Sequence, residues 1–469
     1  MPTSTEPVAF DLAVIGAGPA GLAGAVAAAE RGLRVALLDS APRPGGQFYR
    51  QPAAELAAER PQALHHGWAA FARLVRRLGP VEHLAEHHVW SVTAEPERGW
   101  RVHALTGPDQ RQARALTAHQ VLFATGAHER QLPFPGWTLP GVVAAGGAQA
   151  MLKAGLVLPG RRTVVAGSGP LLLAVAASLV KAGGRVPLVV EAAGYLGYAG
   201  GARVLAANPG KLLEGAQHGA LLLRHCVLLR PRTAVVAAHG DERVEAVTLA
   251  RLDADWRPLP GTERRVACDS VAIGHGLVPQ LELPLELGCR TVRMPDGSPA
   301  LDVDDRQRTS VPGLWAAGES TGVGGVQLAL AEGELAGRAI AGETASPRAL
   351  LRTRARLRAF AELMSAQHAP GPGWDAWLDD ATEVCRCEEV TAAEIREAVT
   401  ELGAGDQRTV KLLTRAGMGW CQARMCGPAV SRLCGAADDG APTRPLASPV
   451  PLGLLAGSDV EPFSQGAPR

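Results

Sequence analysis

Residues 10–16 form an apolar run that ends in glycine, an alanine-rich stretch with helical spacing continues to about Arg31, and Leu33–Asp39 is a second apolar run. Short apolar runs bounded by glycine read as buried strands, and the stretch between them is long enough for a helix. Strand, helix and strand within about 30 residues make a βαβ unit. The pattern returns over Arg162–Glu191: Thr163-Val-Val-Ala-Gly167 precedes a helical stretch, and Arg185-Val-Pro-Leu-Val-Val-Glu191 closes it. Gln120-Val-Leu-Phe-Ala-Thr-Gly126 predicts another buried strand in the first unit, and Asp269-Ser-Val-Ala-Ile-Gly274 predicts its counterpart in the second. Val311–Glu319 predicts a strand that returns to the first domain. Two uncharged windows, Leu12–Ala29 and Thr163–Val180, are long enough for a membrane span, but Gly-x-Gly-Pro near the middle of each marks strand, turn and helix. No transmembrane segment is expected.

The predicted class is α/β, with two Rossmann-like dinucleotide domains and a small helical C-terminal domain. Expected boundaries are 8–150 with 295–345 for the first, discontinuous domain and 151–294 for the second. A helical linker at 346–380, a cysteine module at 381–436 and an extended tail at 437–469 complete the chain. Ala369-Pro-Gly-Pro-Gly373 lies within the linker, and the run Arg352–Arg358 is read as one wet face of a helix. The tail is expected to be ordered only where it packs on another surface.

Composition narrows the function. Hydrophobic residues make up 47% of 469, enough for about two to four structural units. A net charge of +1 gives no electrostatic case for nucleic acid. The N-terminus shows no basic segment followed by an apolar core, and none of the eight cysteines precedes Cys226. A reducing cytoplasm is expected, with any membrane contact peripheral, through the electron acceptor.

Gly16-Ala-Gly18-Pro19-Ala20-Gly21 follows a strand and opens a helix. Gly16 permits the tight turn, Gly18 lets backbone approach a pyrophosphate and Gly21 allows close helix–strand packing, while Asp39 ends the next strand where a ribose is held. This fingerprint alone leaves FAD and NAD open. Three features favour FAD: Pro44-Gly-Gly46-Gln47, the Ala124-Thr125-Gly126 turn, and Ala316-Ala-Gly318-Glu319. The second site, Gly167-Ser-Gly169-Pro170-Leu-Leu172, keeps two glycines and has leucine at the third position. Glu191 suits a ribose with free hydroxyls, so NAD or another adenine nucleotide is expected there; the alternative is a relic that only supports the interface.

Cys385-Arg-Cys387 and Cys421-Gln-Ala-Arg-Met-Cys426 supply four thiols in two close pairs, a donor set for zinc or a [2Fe-2S] cluster. C-x-C is less common for structural zinc, and Gly417-Met-Gly419 beside the sulfurs offers backbone amides that stabilise an anionic cluster. Cys226, Cys268, Cys289 and Cys434 read as buried apolar residues. His65-His66 and His87-His88 make no simple chelate. His128, after the Ala-Thr-Gly turn, is as fit for structure as for the flavin, and no catalytic base is evident.

On these motifs residues 8–345 resemble the glutathione-reductase-like flavoproteins, in which such turns serve FAD and the residue matching Gln327 lies where backbone reaches the flavin. The family's redox-active cysteine pair is absent. Val384–Val390 with Thr414–Pro428 resembles the bacterioferritin-associated-ferredoxin type of [2Fe-2S] domain. Together with Ala124–Trp137 and Gly274–Pro279, the whole chain resembles the larger FAD and iron–sulfur subunits of bacterial opine oxidases, hydrogen cyanide synthase and hydroxyproline dehydrogenases. That resemblance implies an electron-transfer subunit with a partner like D-amino-acid oxidase and a small ferredoxin-like subunit. The competing expectations are a self-sufficient NADH-dependent reductase and a scaffold with structural FAD.

Overall fold

In the computed structural model, whose described residues are 9–95, 98–435 and 446–457, two sheets each carry a glycine turn at the end of a central strand. In the first, Ala9–Ile15 pairs parallel with Val35–Leu38 on one side and Gln112–Phe123 on the other. Glu82–Leu84 extends one edge, and Leu314–Ala316 returns to pair with the end of Gln112–Phe123. Gly99–Thr106 and His87–Glu95 continue the sheet antiparallel. Leu12, Ala13 and Val14 and all of Val35–Leu38 are buried, because parallel strands covered on both faces must be apolar throughout.

Helix Pro19–Ala29 covers this sheet and packs against helix Val326–Ile340. Their approach depends on glycine: a Cβ on Gly333 would strike the Ala20 carbonyl oxygen, and one on Gly337 the Gly24 carbonyl oxygen. The second sheet is parallel throughout, in the order Leu228–Pro231, Leu188–Glu191, Thr163–Gly167, Ser270–Gly274 and Val142–Ala144. A two-stranded ladder of Ala127–Glu129 with Leu277–Pro279 links the two halves.

Helix Arg348–Gln367 corrects one expectation. Its arginines are not all on a wet face: Arg354 and Arg358 turn inward to the fully buried Glu332, at 3.5 and 2.6 Å. The linker after it packs on the second half, where Gly373 N–H donates to the Asp255 carbonyl and Trp377 stacks on Trp256. The cysteine module that follows has a short ladder, Glu383–Cys385 with Val390–Thr391, and helices Ala392–Thr400, Gln407–Thr414 and Gly427–Leu433. A capping box of Thr391 and Glu394 starts the first helix, and the Asp406 carboxylate caps the second. Ile395, Ala398, Val410, Ala429 and Val430 share one core with Trp256, Trp374 and Trp377.

The tail is not wholly extended. Leu452–Ala456 is a short helix, and Leu446, Val450, Leu454 and Leu455 cover Trp90 and Leu105 of the first sheet. Residues 8, 96–97, 436–445 and 458–469 of the expected boundaries lie outside the described residues. Cys268, Cys289 and Cys434 are buried, but Cys226 is exposed, against expectation. Among the described residues no helix is long and apolar enough to cross a membrane; the two uncharged windows are the strand–turn–helix units.

Candidate functional site

The first glycine turn is built by close backbone approach. Gly16 has φ +106°, and a Cβ there would strike the Ala124 carbonyl oxygen; a Cβ on Gly21 would strike the carbonyl oxygen of Gly16. A Cβ on Gly46 would lie 2.8 Å from the Gly18 Cα, so these two glycines leave a groove that side chains would fill. Pro19 and Ala20 form the first helical turn, which has no side-chain cap. Asp39 accepts the amides of Ala17 and Ala41 at 2.5 and 2.7 Å, bracing the turn from the next strand. The Thr125 hydroxyl donates to the Gln280 carbonyl at 2.7 Å, and Gln280 N–H donates back to the Gly126 carbonyl.

The Gly318 turn closes onto the same place: a Cβ on it would lie 2.8 Å from the Ala20 Cβ. Glu319 accepts the amides of Gly324 and Gly325 at 2.8 and 2.9 Å, and burial holds its carboxyl above the usual range. Gln47 and Gln327 are exposed, and Gln47 accepts from the Arg50 guanidinium. Sequence reasoning missed Glu332. This buried carboxylate takes the Gly318 amide at 3.0 Å, the Thr321 hydroxyl at 2.8 Å and the Arg358 guanidinium at 2.6 Å. The available signal was a lone acid on the apolar face of Leu328, Ala329, Ala331, Leu335 and Ala336, opposite an arginine-rich helix.

At the second turn Gly167 and Gly169 have φ of +135° and +117°, and Pro170 precedes helix Leu171–Lys181. Leu172, where a third glycine would stand, is buried in this half's core. Glu191 is 3% exposed and accepts the amides of Gly169 and Ala193 at 3.1 and 3.0 Å. His368, from the end of helix Arg348–Gln367, places Nδ1 3.4 Å from the Glu191 carboxylate. The Ser168 hydroxyl donates to the His368 carbonyl, and the Tyr198 hydroxyl lies 2.6 Å from His368 Nε2. Burial, with Glu191 nearby, pushes the Tyr198 hydroxyl up to about 12. The amide contacts of Glu191 match those of Asp39 in the first turn, and His368 is what the second site adds.

The four predicted cysteines meet. Cys385 and Cys426 are buried, Cys421 is half-buried and Cys387 is exposed. Cys387 and Cys421 sulfurs lie 3.9 Å apart, Cys426 contacts both Cys385 and Cys421, and Gly417 N–H donates to the Cys385 sulfur. Thiol bonding from Cys426 first, and backbone amides after it, bring Cys385 down to about 6; Cys426 also leads in bringing Cys421 down to about 5, while Cys426 itself is raised. The contacts form a chain of pairs, and among the described residues no three His, Cys, Asp or Glu side chains surround a single-ion position. Two thiolate pairs with amide donors and one exposed edge suit a two-iron cluster.

A cavity of ≈480 Å³ lies against this loop, lined by His128, Arg130, Trp374, Ala423, Arg424 and Gly427 among others. A second, of ≈300 Å³, lies between Arg424, Glu282, Gln280 and Thr125. One histidine of each pair bonds backbone: His65 Nδ1 lies 3.2 Å from the Phe48 carbonyl and His87 Nδ1 2.7 Å from the Ala85 carbonyl.

Residues 10–333 match the family model described as pyridine nucleotide-disulphide oxidoreductase, and residues 383–434 match the BFD-like [2Fe-2S] binding domain. The hydrogen cyanide synthase protein HcnB of Pseudomonas protegens is 33% identical over 96% of this chain and 98% of its own. An opine oxidase subunit of Rhizobium meliloti is 35% identical over 95% and 98%. The crystal structure of L-proline dehydrogenase from P. horikoshii shares the fold, with TM-score 0.69 and 21% identity over 96% of this chain and 79% of that one. The chain thus belongs to the pyridine nucleotide-disulphide oxidoreductase family, in the branch of HcnB and the opine oxidase subunits, and is an oxidoreductase with domains for FAD and a [2Fe-2S] cluster.

Proposed function

We propose that this chain is the electron-transferring subunit of a heteromeric dehydrogenase or oxidase acting on an amino acid, imino acid or opine. The CH–NH oxidation takes place in a smaller flavoprotein partner resembling D-amino-acid oxidase, with a small ferredoxin-like chain as a further subunit. One observation carries this reading: the turn expected to meet the flavin and the loop bearing the thiols are joined by a short series of contacts. Thr125 bonds Gln280, Glu282 follows two residues later, and Glu282 pairs with Arg424 between Cys421 and Cys426.

Gly16, Gly18, Pro19, Ala20, Gly21, Asp39, Gly46, Gln47, Thr125, Gly126, Gly318, Glu319 and Gln327 would hold FAD. Cys385, Cys387, Cys421 and Cys426 would hold the cluster. Bound there, FAD supplies two-electron chemistry and the cluster one-electron chemistry. The chain's own part is positioning: Glu332 fixes the Gly318 turn, and Gly417 N–H polarises the Cys385 sulfur. The relatives' names, each that of one component of a larger enzyme, support a partner chain.

An NADH-dependent reductase would need Gly167, Gly169, Pro170 and Glu191 free for nucleotide. His368 at Glu191 and the bulk of Leu172 count against it. The test is anaerobic purification with whatever associates, followed by assay of FAD, iron and sulfide and a screen of proline, hydroxyproline and opine donors. The reading expects donor-driven bleaching of the cluster only when the partner chain is present. Rapid flavin bleaching by NADH in the isolated chain, or zinc in place of iron and sulfide, overturns it.

A further inference from the structure

Arg424 stands between two cluster cysteines, in a loop where Gln422 and Ala423 both take positive φ, 50° and 63°. Consecutive left-handed non-glycine residues are costly and persist where surrounding contacts hold them. Three groups hold this loop through one guanidinium. Arg424 Nη1 donates to the Cys421 carbonyl at 3.4 Å, Nη2 donates to the Ala447 carbonyl of the tail, and Nε lies 2.6 Å from Glu282 Oε1. Arg424 is 17% exposed and Glu282 9%, so the pair is largely withdrawn from water. Arg424 and Glu282 line both cavities.

We propose that Arg424 is a positioning residue that sets the reduction potential of the cluster, with Glu282 as the counter-charge that moderates it. The inference rests on the four cysteines being cluster ligands. Taking up one electron makes an iron–sulfur cluster one unit more negative. A cation withdrawn from water beside the ligand loop favours that state, and a lone carboxylate there opposes it. The carbonyl bond to Cys421 also fixes the ligand's backbone, so the charge acts at a set place.

The pair therefore predicts shifts of opposite sign. Arg424→Met leaves Glu282 without its counter-charge beside the ligand loop and should disfavour the reduced state about tenfold, about 59 mV for one electron. Glu282→Gln leaves Arg424 unopposed and should favour it by a similar factor. Arg424→Lys keeps the charge and should recover most of the wild-type potential. The experiment is an EPR-monitored redox titration of the full chain and the three variants, after iron and sulfide have been measured for each. If Arg424→Met loses its iron, Glu282→Gln still gives the sign and Arg424→Lys still reports whether the charge alone suffices. Arg424→Met and Glu282→Gln shifting in the same sense, or neither shifting, at wild-type iron content overturns the role of Arg424. A wild-type chain without iron and sulfide overturns the cluster reading beneath it, a separate result.

Discussion

Gly419 leaves the four-thiol loop no room for a side chain, because a Cβ on it would strike the Cys387 Cβ. Gly417, at φ +90°, would put a Cβ 2.9 Å from the Ala423 Cβ while its N–H faces the Cys385 sulfur. Gly419→Ala should cost the purified chain most of its iron and sulfide while its flavin absorbance stays, a selective loss that metal assay and spectroscopy would show. Glu286 makes a second prediction. Burial, then repulsion from Glu282, pushes its carboxyl up to about 9, and its Oε1 has no hydrogen-bond partner among the described residues. A folded value above the unfolded one means the folded state binds the extra proton between about pH 4.5 and 9. Stability is fully present below that window and is lost as pH rises through it. Glu286→Gln should melt higher than wild type at pH 8, with the difference shrinking toward pH 5; an equal difference at both would refute the shift. The cysteine pairs were legible because their spacing is rare. The Arg424–Glu282 pair was not, because two ordinary charged residues far apart in the chain carry no mark of meeting.

Among the elements, the crossing of Pro19–Ala29 with Val326–Ile340 decides how the glycine turns meet. Gly333 and Gly337 let the second helix touch the backbone of the first, next to the Gly16–Gly21 turn. Gly333→Ala forces the helices apart at Ala20, and it should lower both the melting temperature and the FAD retained through gel filtration. Glu332 makes the same crossing electrostatic. With Glu332→Ala the Arg358 guanidinium is left largely buried without its carboxylate, a change worth about 3–5 kcal/mol in a buried pair. Adding Arg358→Met should recover part of that loss, which denaturant titration of the single and double variants would measure. The strand–turn–helix units were legible, since parallel buried strands are continuous apolar runs and a glycine at each turn reports a backbone constraint. The inward turn of Arg354 and Arg358 was not, since a basic run looks the same whether water or a buried acid meets it.

At the scale of the whole molecule, helix Arg348–Gln367 runs between the two nucleotide-type domains and acts on both. Arg354 and Arg358 brace the Gly318 turn through Glu332, and the residue after the helix, His368, closes on Glu191 and Ser168 of the second turn. The glycine spacing of the second turn was legible and reports a backbone shaped for a dinucleotide. What now stands there was not, because His368 and Tyr198 come from other parts of the chain and neither belongs to a motif. A nucleotide entering this site must displace the His368–Glu191 and His368–Tyr198 contacts. Wild-type chain titrated with NADH should therefore show no saturable binding in the micromolar range and no flavin bleaching under anaerobic conditions. His368→Ala with Tyr198→Phe removes the displaced contacts and leaves Glu191 to its two backbone amides, so it should bind adenine nucleotide more tightly than wild type. Calorimetry on both proteins decides the matter: tight NADH binding by the wild type, or no gain in the double variant at unchanged melting temperature, would show that His368 does not close the site.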